Sequence, residues 1–502
     1  MTSDKLIVKN TLLLYFRMFI TLLVSLYTSR VVLDVLGAED YGIYSIAGSV
    51  VVLFSFLSNA MTGASQRFFS YELGLHNNTP FKLKETFSVS VIAHLIIALV
   101  IFILCETIGL WYFNHKLVVP LDRFNAASIV YQLSIVTFIF NLIRIPFNAI
   151  IISHEKMDFY AYISVVEVIL KLILVVLLRV SSFDKLILYG ILMLVVTVIC
   201  TVIYVIYCLK EFAECSLKIL WNYVVFKQLM SYTGWSFCTN MANVTAQQGG
   251  NLILNNFFGV LLNTAYGLAN QVSGILYGFV TNFQMAFRPQ IVKLYASELV
   301  DDLWELVLKA SRISFYLLLF IAVPSIVNID FFFSIWLKQV PDYSTTFCTL
   351  IIIYCLIDSI QAPLWMTIDA TGKIKAYSIW LTCILVFNLP LSYIILKLGG
   401  PPSTFLVVRV VLNLITAIVR TIYMKFFIGF PVRIYCKMVL KCCVVLVISF
   451  LLSYLLKCIL DNLELSKILS VISSLIITLY FIIRYGISKA ERKSILSIIV
   501  RR

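Results

Sequence analysis

The chain has 502 residues, of which 61% are hydrophobic and 13% charged, with a formal net charge of +14. A water-soluble fold of that composition would lack the polar surface it needs, so the chain uses lipid as its solvent. The positive excess points to an anionic lipid surface and gives no reason to invoke nucleic acid.

Crossing about 30 Å of hydrocarbon takes roughly 20 apolar residues. Fourteen segments meet that need: 10–32, 41–63, 86–113, 124–152, 159–179, 185–209, 228–257, 262–286, 306–330, 344–369, 376–397, 403–426, 437–458 and 465–485. The first is a full span followed by further spans, with no small-residue cleavage site, and reads as a signal anchor. The longest stretch outside them, about Lys210 to Lys227, is too short for a core of its own. With both termini placed inside, 25 of the 39 Lys and Arg residues fall on the inner side and 9 on the outer. The other 5 (Arg17, Arg144, Lys171, Arg409 and Arg420) lie within spans. That asymmetry predicts cytoplasmic termini, the Lys156 and Lys373 turns inside and the Lys116 and Lys338 loops outside.

The chain repeats itself. At an offset of 217, Ile143 falls on Ile360, Pro146 on Pro363, Ile151 on Ile368, Lys156 on Lys373 and Tyr160 on Tyr377. At 222, Gly37 falls on Gly259, and Thr21, Ser25 and Ser29 fall on Asn243, Gln247 and Asn251. Six spans separate each feature from its copy, so both copies enter the membrane in the same direction and the repeat is parallel. The expected fold is an all-α polytopic membrane protein with two six-helix lobes, 1–212 and 213–430, followed by two C-terminal helices and a tail in 431–502. Such a repeat suggests a transporter with its path between the lobes.

Polar residues inside spans carry the candidate site. In the seventh span Asn240, Asn243, Gln247, Asn251 and Asn255 share one face over about 22 Å. They either hydrogen-bond neighbouring helices or line a hydrated cavity suited to sugar hydroxyls, and five amides exceed what helix packing needs. The first span has the equivalent stripe of Arg17, Thr21, Ser25, Thr28 and Ser29, in which Arg17 either snorkels to the interface or serves the cavity. The eighth span adds Asn270, Gln271 and Asn282, with glycines that suit close packing. Glu167 and Lys171, four apart, pair on one face, and Arg144 adds positive charge beside Pro146. An anionic substrate or a coupling ion would compete for that pair, which makes Glu167 a candidate ion-coupling residue together with Asp358. Asp358 and Arg409 form a second candidate internal pair, while His94 and Glu106 have no sequence-local partner and read as structural.

No G-x-x-x-x-G-K-[ST] loop, no H-E-x-x-H and no soluble catalytic domain occurs, so no catalytic residue, metal or cofactor is assigned and transport would be passive or ion-coupled. The 12 cysteines lack metal-type spacing and none lies well out in an outer loop, so no disulfide is expected.

Three stretches carry a resemblance: Ser29 to Val50 (SRVVLDVLGAEDYGIYSIAGSV), Ile152 to Ala161 (ISHEKMDFYA) and Asn282 to Ala296 (NFQMAFRPQIVKLYA). The chain resembles the Wzx-type O-antigen flippases of the multidrug/oligosaccharidyl-lipid/polysaccharide exporter superfamily over nearly its whole length. The resemblance implies fourteen helices around a cationic central cavity, a bacterial inner membrane, and a substrate that is an oligosaccharide on undecaprenyl diphosphate. It also implies that Arg17, Arg30, Arg67 and Arg288 are where diphosphate contact should be sought, and that a polymerase and glycosyltransferases are candidate partners. A twelve-helix drug or cation antiporter would need an acidic site where this chain has more basic groups. A non-transporting scaffold for polysaccharide synthesis would not need the amide stripe.

Overall fold

The computed structural model describes residues 3–52, 54–75, 80–116, 120, 122–216, 218–337, 340–460 and 466–486. Lys338 and the basic residues from 489 onward lie outside the described residues, as do the side chains of Lys5, Ser29 and Lys116. Every regular element among the described residues is a helix: α1 (Ser3–Val52), α2 (Ser55–Gly74), α3 (Pro80–Leu104), a π-helical turn (Cys105–Gly109), α4 (Leu110–Lys116), α5 (Phe124–Ser153), α6 (Met157–Val180), α7 (Lys185–Glu211), α8 (Tyr223–Phe258), α9 (Val260–Ala296), α10 (Val300–Val327), α11 (Ile329–Trp336), α12 (Ser344–Thr371), α13 (Lys375–Val386), α14 (Asn388–Lys397), α15 (Thr404–Ile428), α16 (Val432–Leu460), α17 (Ser466–Phe481) and a closing π-helical turn (Ile482–Gly486).

The fourteen expected spans are recognisable, with three differences of form. No loop separates the first two: α1 bends at Gly37 (φ 79°, ψ 168°) and continues into what was expected to be the second span, which α2 completes. Gly259, its repeat partner, joins α8 to α9 with φ 80°. A Cβ is strained in that backbone region, so glycine is required at both bends. The eleventh span is broken at Phe387, because Pro390 offers no N–H to the carbonyl of Val386 one turn back. The ninth ends at Asn328 and is extended by the short α11.

Eleven stretches among the described residues are both long and apolar enough to cross a bilayer. The spans not among them are the second, which is divided between α1 and α2, and α8 and α9, which carry the internal amides. In α8 and α9 the run of amides lowers the mean hydropathy below that of an ordinary span.

The chain divides into two compact units. The first comprises 1–240 with 292–298 and 372–374; the second comprises 241–291, 299–371 and 375–502. In the first, α5 packs against α7, α1 against α6, and α2 and α3 against α5. Tyr131, Ile101 and Phe113 fill one buried cluster, Phe87, Phe147 and Ile150 a second, and Leu174, Leu178 and Val196 a third. In the second unit α12 lies between α10 and α15, with Tyr266, Phe347 and Phe405 fully buried among the aliphatic side chains. The C-terminal α16 and α17 pack on α10. Their contact surface includes the buried Ser449, Ser453, Ser470, Ser474 and Thr478, small residues that allow close helix approach. Ser470 donates to the Asn328 side chain at 2.6 Å.

The turn after α5 also recurs. Glu155 (φ 61°) and Gly372 (φ 72°), 217 positions apart, both take left-handed backbone, and both turns belong to the first unit.

Candidate functional site

Within the first unit α1, α5, α6 and α7 enclose a cavity of about 390 Å³. The polar face of α1 supplies Arg17, Thr21, Ser25 and Thr28, at the one-turn spacing that puts them on one stripe. Arg17 does not snorkel outward. Its guanidinium lies 4.7 Å from the Tyr160 ring centroid and Nη1 donates to Ser164 Oγ at 3.5 Å. The Thr21 hydroxyl donates back to the Arg17 carbonyl, so the side chain next to the arginine spends its proton on its own helix.

Opposite stands Glu167, held from two sides. Lys171 Nζ is 2.8 Å from Oε1, and Arg144 Nη1 is 3.1 Å from Oε2. Arg144 also donates to Asn141 Oδ1 at 3.0 Å and lies over the Tyr204 ring. These side chains are not sealed: Arg144 is 21% exposed, Glu167 25% and Lys171 34%, so a ligand can reach all three. Three cations and a single carboxylate line the cavity, and guanidinium groups that a ligand can reach suit an anion. Asn148 Oδ1 and Thr28 Oγ1 are buried on the lining with no protein partner, leaving hydrogen-bonding capacity for a hydroxyl or water.

The remaining sequence candidates do not line this cavity. Arg30 is exposed on α1. Arg67 is buried near the end of α2, beside the Phe68 and Tyr71 rings, and its guanidinium takes the space a Cβ on Gly372 would fill. Lys293, in the last turn of α9, pairs with Glu155 at 2.6 Å. On α8 the amides do share one continuous helix: Asn243 and Asn255 are exposed, Asn240, Gln247 and Asn251 half-buried, and Asn251 donates to Gln248 at 3.1 Å.

In the second unit Asn270 lies half-buried beside Tyr266, Gln271 is exposed, and buried Asn282 donates to the Gly278 carbonyl at 2.5 Å. Arg288 pairs with Asp369 at 3.4 Å, with its guanidinium 5.5 Å from the Trp365 ring centroid. The expected Asp358–Arg409 pair does not form. Asp358 instead accepts a hydrogen bond from Tyr277 at 2.9 Å, and Arg409 lies over Tyr354. A phenol from α9 thus takes the place that charge counting assigned to the arginine. His94 and Glu106 do have partners: His94 Nδ1 donates to the Ser90 carbonyl one turn back at 2.7 Å, and Gln132 donates to Glu106 at 3.2 Å.

No protein-family model and no curated protein matches the chain. Solved structures do. An outward-facing multidrug resistance MATE family transporter of the MOP superfamily matches with a TM-score of 0.73 at 15% identity, over 85% of this chain and 96% of that one. The fold is that of the MATE transporters. A MATE structure in the bent conformation matches with a TM-score of 0.72 at 14% identity, over 86% of this chain and 96% of that one. A MOP superfamily transporter from Pyrococcus furiosus, described as having reversed polarity of its binding pocket, matches with a TM-score of 0.71 at 14% identity, over 85% and 96%. Identities this low show the MATE fold and nothing beyond it.

Within this MATE fold, sequence reasoning found the charged lining and missed the aromatic one. Tyr41, Tyr160, Tyr189 and Tyr204 come from three helices and share no local spacing. The one signal available was Tyr160, which the repeat pairs with Tyr377.

Proposed function

We propose that the protein is a flippase that moves an undecaprenyl-diphosphate-linked oligosaccharide repeat unit from the inner to the outer leaflet by alternating access, for O-antigen, capsule or exopolysaccharide synthesis. The observation that carries this reading is the cavity of the first unit, where Arg144 and Lys171 pair with the one carboxylate, Glu167, and Arg17 lines the same space beside Ser164 and Tyr160. A diphosphate must shed water to cross hydrocarbon, and guanidinium forks replace that water, while tyrosines and amides suit sugar rings. A phosphate entering between Arg144 and Lys171 displaces Glu167, and the released carboxylate is then where a proton or monovalent cation binds. The protein works in a bacterial inner membrane with both termini cytoplasmic, beside a polymerase and glycosyltransferases. Cysteine labelling of intact cells tests the topology: position 373 stays unlabelled from outside and 338 reacts, and the reverse pattern overturns it.

The transport test uses purified protein in liposomes loaded with lipid-linked oligosaccharide. Wild type moves the lipid across, Arg17→Lys retains part of the rate because charge survives without the fork, and Arg17→Ala retains little. Wild-type rates from Arg17→Ala remove Arg17 from the site, and no translocation by wild type overturns the flippase reading. A second reading, cation-coupled antiport of drugs or other small molecules, is favoured by the multidrug name of a protein sharing the fold. It is supported only if the same liposomes exchange a cationic dye for protons and fail to move the oligosaccharide lipid.

A further inference from the structure

The connection from α7 to α8 is irregular in backbone, yet its second half is held in place. Ser88 of α3 donates to the Lys218 carbonyl at 3.3 Å and accepts from the Leu220 amide at 2.8 Å. Asn222 donates to Glu85 of α3 at 3.2 Å, while its own side-chain oxygen caps α8 by accepting from the Val224 and Val225 amides at 2.8 and 3.3 Å. Three contacts to one helix end are a considerable investment for a linker, and what they hold in place is an apolar edge. Ile219 is 80% exposed, Trp221 50% and Tyr223 64%, and Phe81 at the start of α3 is 61% exposed.

Lysines are interleaved with these residues. Lys82 follows Phe81, Lys218 precedes Ile219, and Lys227 lies one turn beyond Tyr223; all three are exposed, and Lys84 is half-buried. A purely hydrocarbon-facing surface would not hold four lysines, and a purely aqueous one would not hold Ile219 and Trp221 outward. The combination fits the headgroup layer, where aromatic rings sit between tails and water and ammonium groups meet phosphates. The charge-bearing edge lies where α3 and α8 begin, the ends that the Lys and Arg count assigns to the cytoplasmic leaflet.

We propose that this edge, built from the start of α3 and residues 218–227, is a binding surface for the headgroups of anionic phospholipids in the cytoplasmic leaflet. The lysines take the phosphates, and Trp221, Tyr223 and Ile219 enter the acyl boundary. The connection between the two repeats is thereby tied to the membrane surface. The inference is independent of what the cavity carries.

Brominated phosphatidylglycerol and brominated phosphatidylcholine are the probes, titrated into the full-length protein in nanodiscs. The quenching lost in Trp221→Phe isolates the signal of Trp221. Phosphatidylglycerol is expected to quench Trp221 with at least about fivefold preference over phosphatidylcholine, since even one lysine near an anionic surface is worth roughly fivefold. Replacing Lys82, Lys84, Lys218 and Lys227 together by Ala abolishes the preference, and replacing them by Arg keeps it. Raising the salt on wild type lowers the preference, which tests charge without any variant that must fold. Equal quenching by the two lipids overturns the proposal, as does a preference that survives the Ala replacements or high salt. No quenching by either lipid also overturns it, because Trp221 would then face protein or water.

Discussion

The repeat places the same helix end in both units and uses it in opposite ways. In the first unit Arg144, just before Pro146, stays partly exposed and reaches Glu167 across the cavity. In the second the equivalent position is Gln361, just before Pro363, and it is 1% exposed. Gln361 accepts a hydrogen bond at 2.9 Å from Arg420, whose Nε donates at 2.8 Å to Tyr377, the counterpart of cavity-lining Tyr160. Arg420 itself is 5% exposed. The proline, the basic turn and the tyrosine are therefore scaffold, reproduced in both halves, whereas charge is not. One copy keeps its cations accessible to a ligand, and the other spends its arginine on locking three helices together.

Exchanging residues between the copies tests that contrast. Gln361→Arg should have the largest effect, because a second buried cation beside Arg420 costs about 3–5 kcal/mol. Loss of folded protein from the membrane fraction is the expected result, and normal accumulation would show that the second unit has room for water there. The reverse exchange, Arg144→Gln, should leave thermal stability near wild type and lower transport by about tenfold or more, as loss of one charged hydrogen bond does. A large fall in melting temperature with normal turnover per folded molecule would make Arg144 structural. Gly37→Ala and Gly259→Ala should each cost about 1–3 kcal/mol, and by similar amounts, if the bend is shared scaffold. Unequal melting shifts for the two would show that only one bend is under constraint.

The smallest effect concerns a clamp that the second copy lacks. Arg123 bonds Asp40 at 2.9 Å through Nε and Asp184 at 2.6 Å through Nη1, and Asp184 caps α7 through the Leu186 and Ile187 amides. The counterpart positions are Leu262, Val340 and Pro401, all uncharged. Burial pushes the Asp184 carboxyl up, but the Ile187 amide, the Arg123 guanidinium and the Leu186 amide outweigh it, so its pKa lies below the ordinary value. A depressed acid stabilises above its unfolded pKa and loses that contribution as pH falls through the folded one, here below about pH 4. Thermal melts between neutral and acid pH should therefore show a slightly smaller acid-induced drop for Asp184→Asn than for wild type. An unchanged drop would leave the clamp without energetic weight.

Span positions were legible because hydrocarbon thickness imposes a length and a composition that local sequence must satisfy; 124–152 and Phe124–Ser153 differ by one residue. The bend at Gly37 was legible only as a repeated glycine, since nothing in composition distinguishes two helices that meet at one non-helical residue from two helices with a loop. The Glu167–Lys171 pair could be read from four-residue spacing, and Arg144 from its place beside the kink. The Asp358–Tyr277 bond and the cavity tyrosines could not, because they join helices tens of residues apart and neutral hydroxyls leave no charge imbalance to solve for. The amide stripe on α8 is a real face of one helix.

The absence of a loop between the first two spans also bears on engineering. A reporter tag or a protease site is usually introduced at a hairpin tip, where added residues displace nothing. At Gly37 and at Gly259 the flanking helices follow one another without such a tip, so an inserted peptide would rotate every downstream side chain of α1 or α9 about its axis and turn polar faces toward lipid.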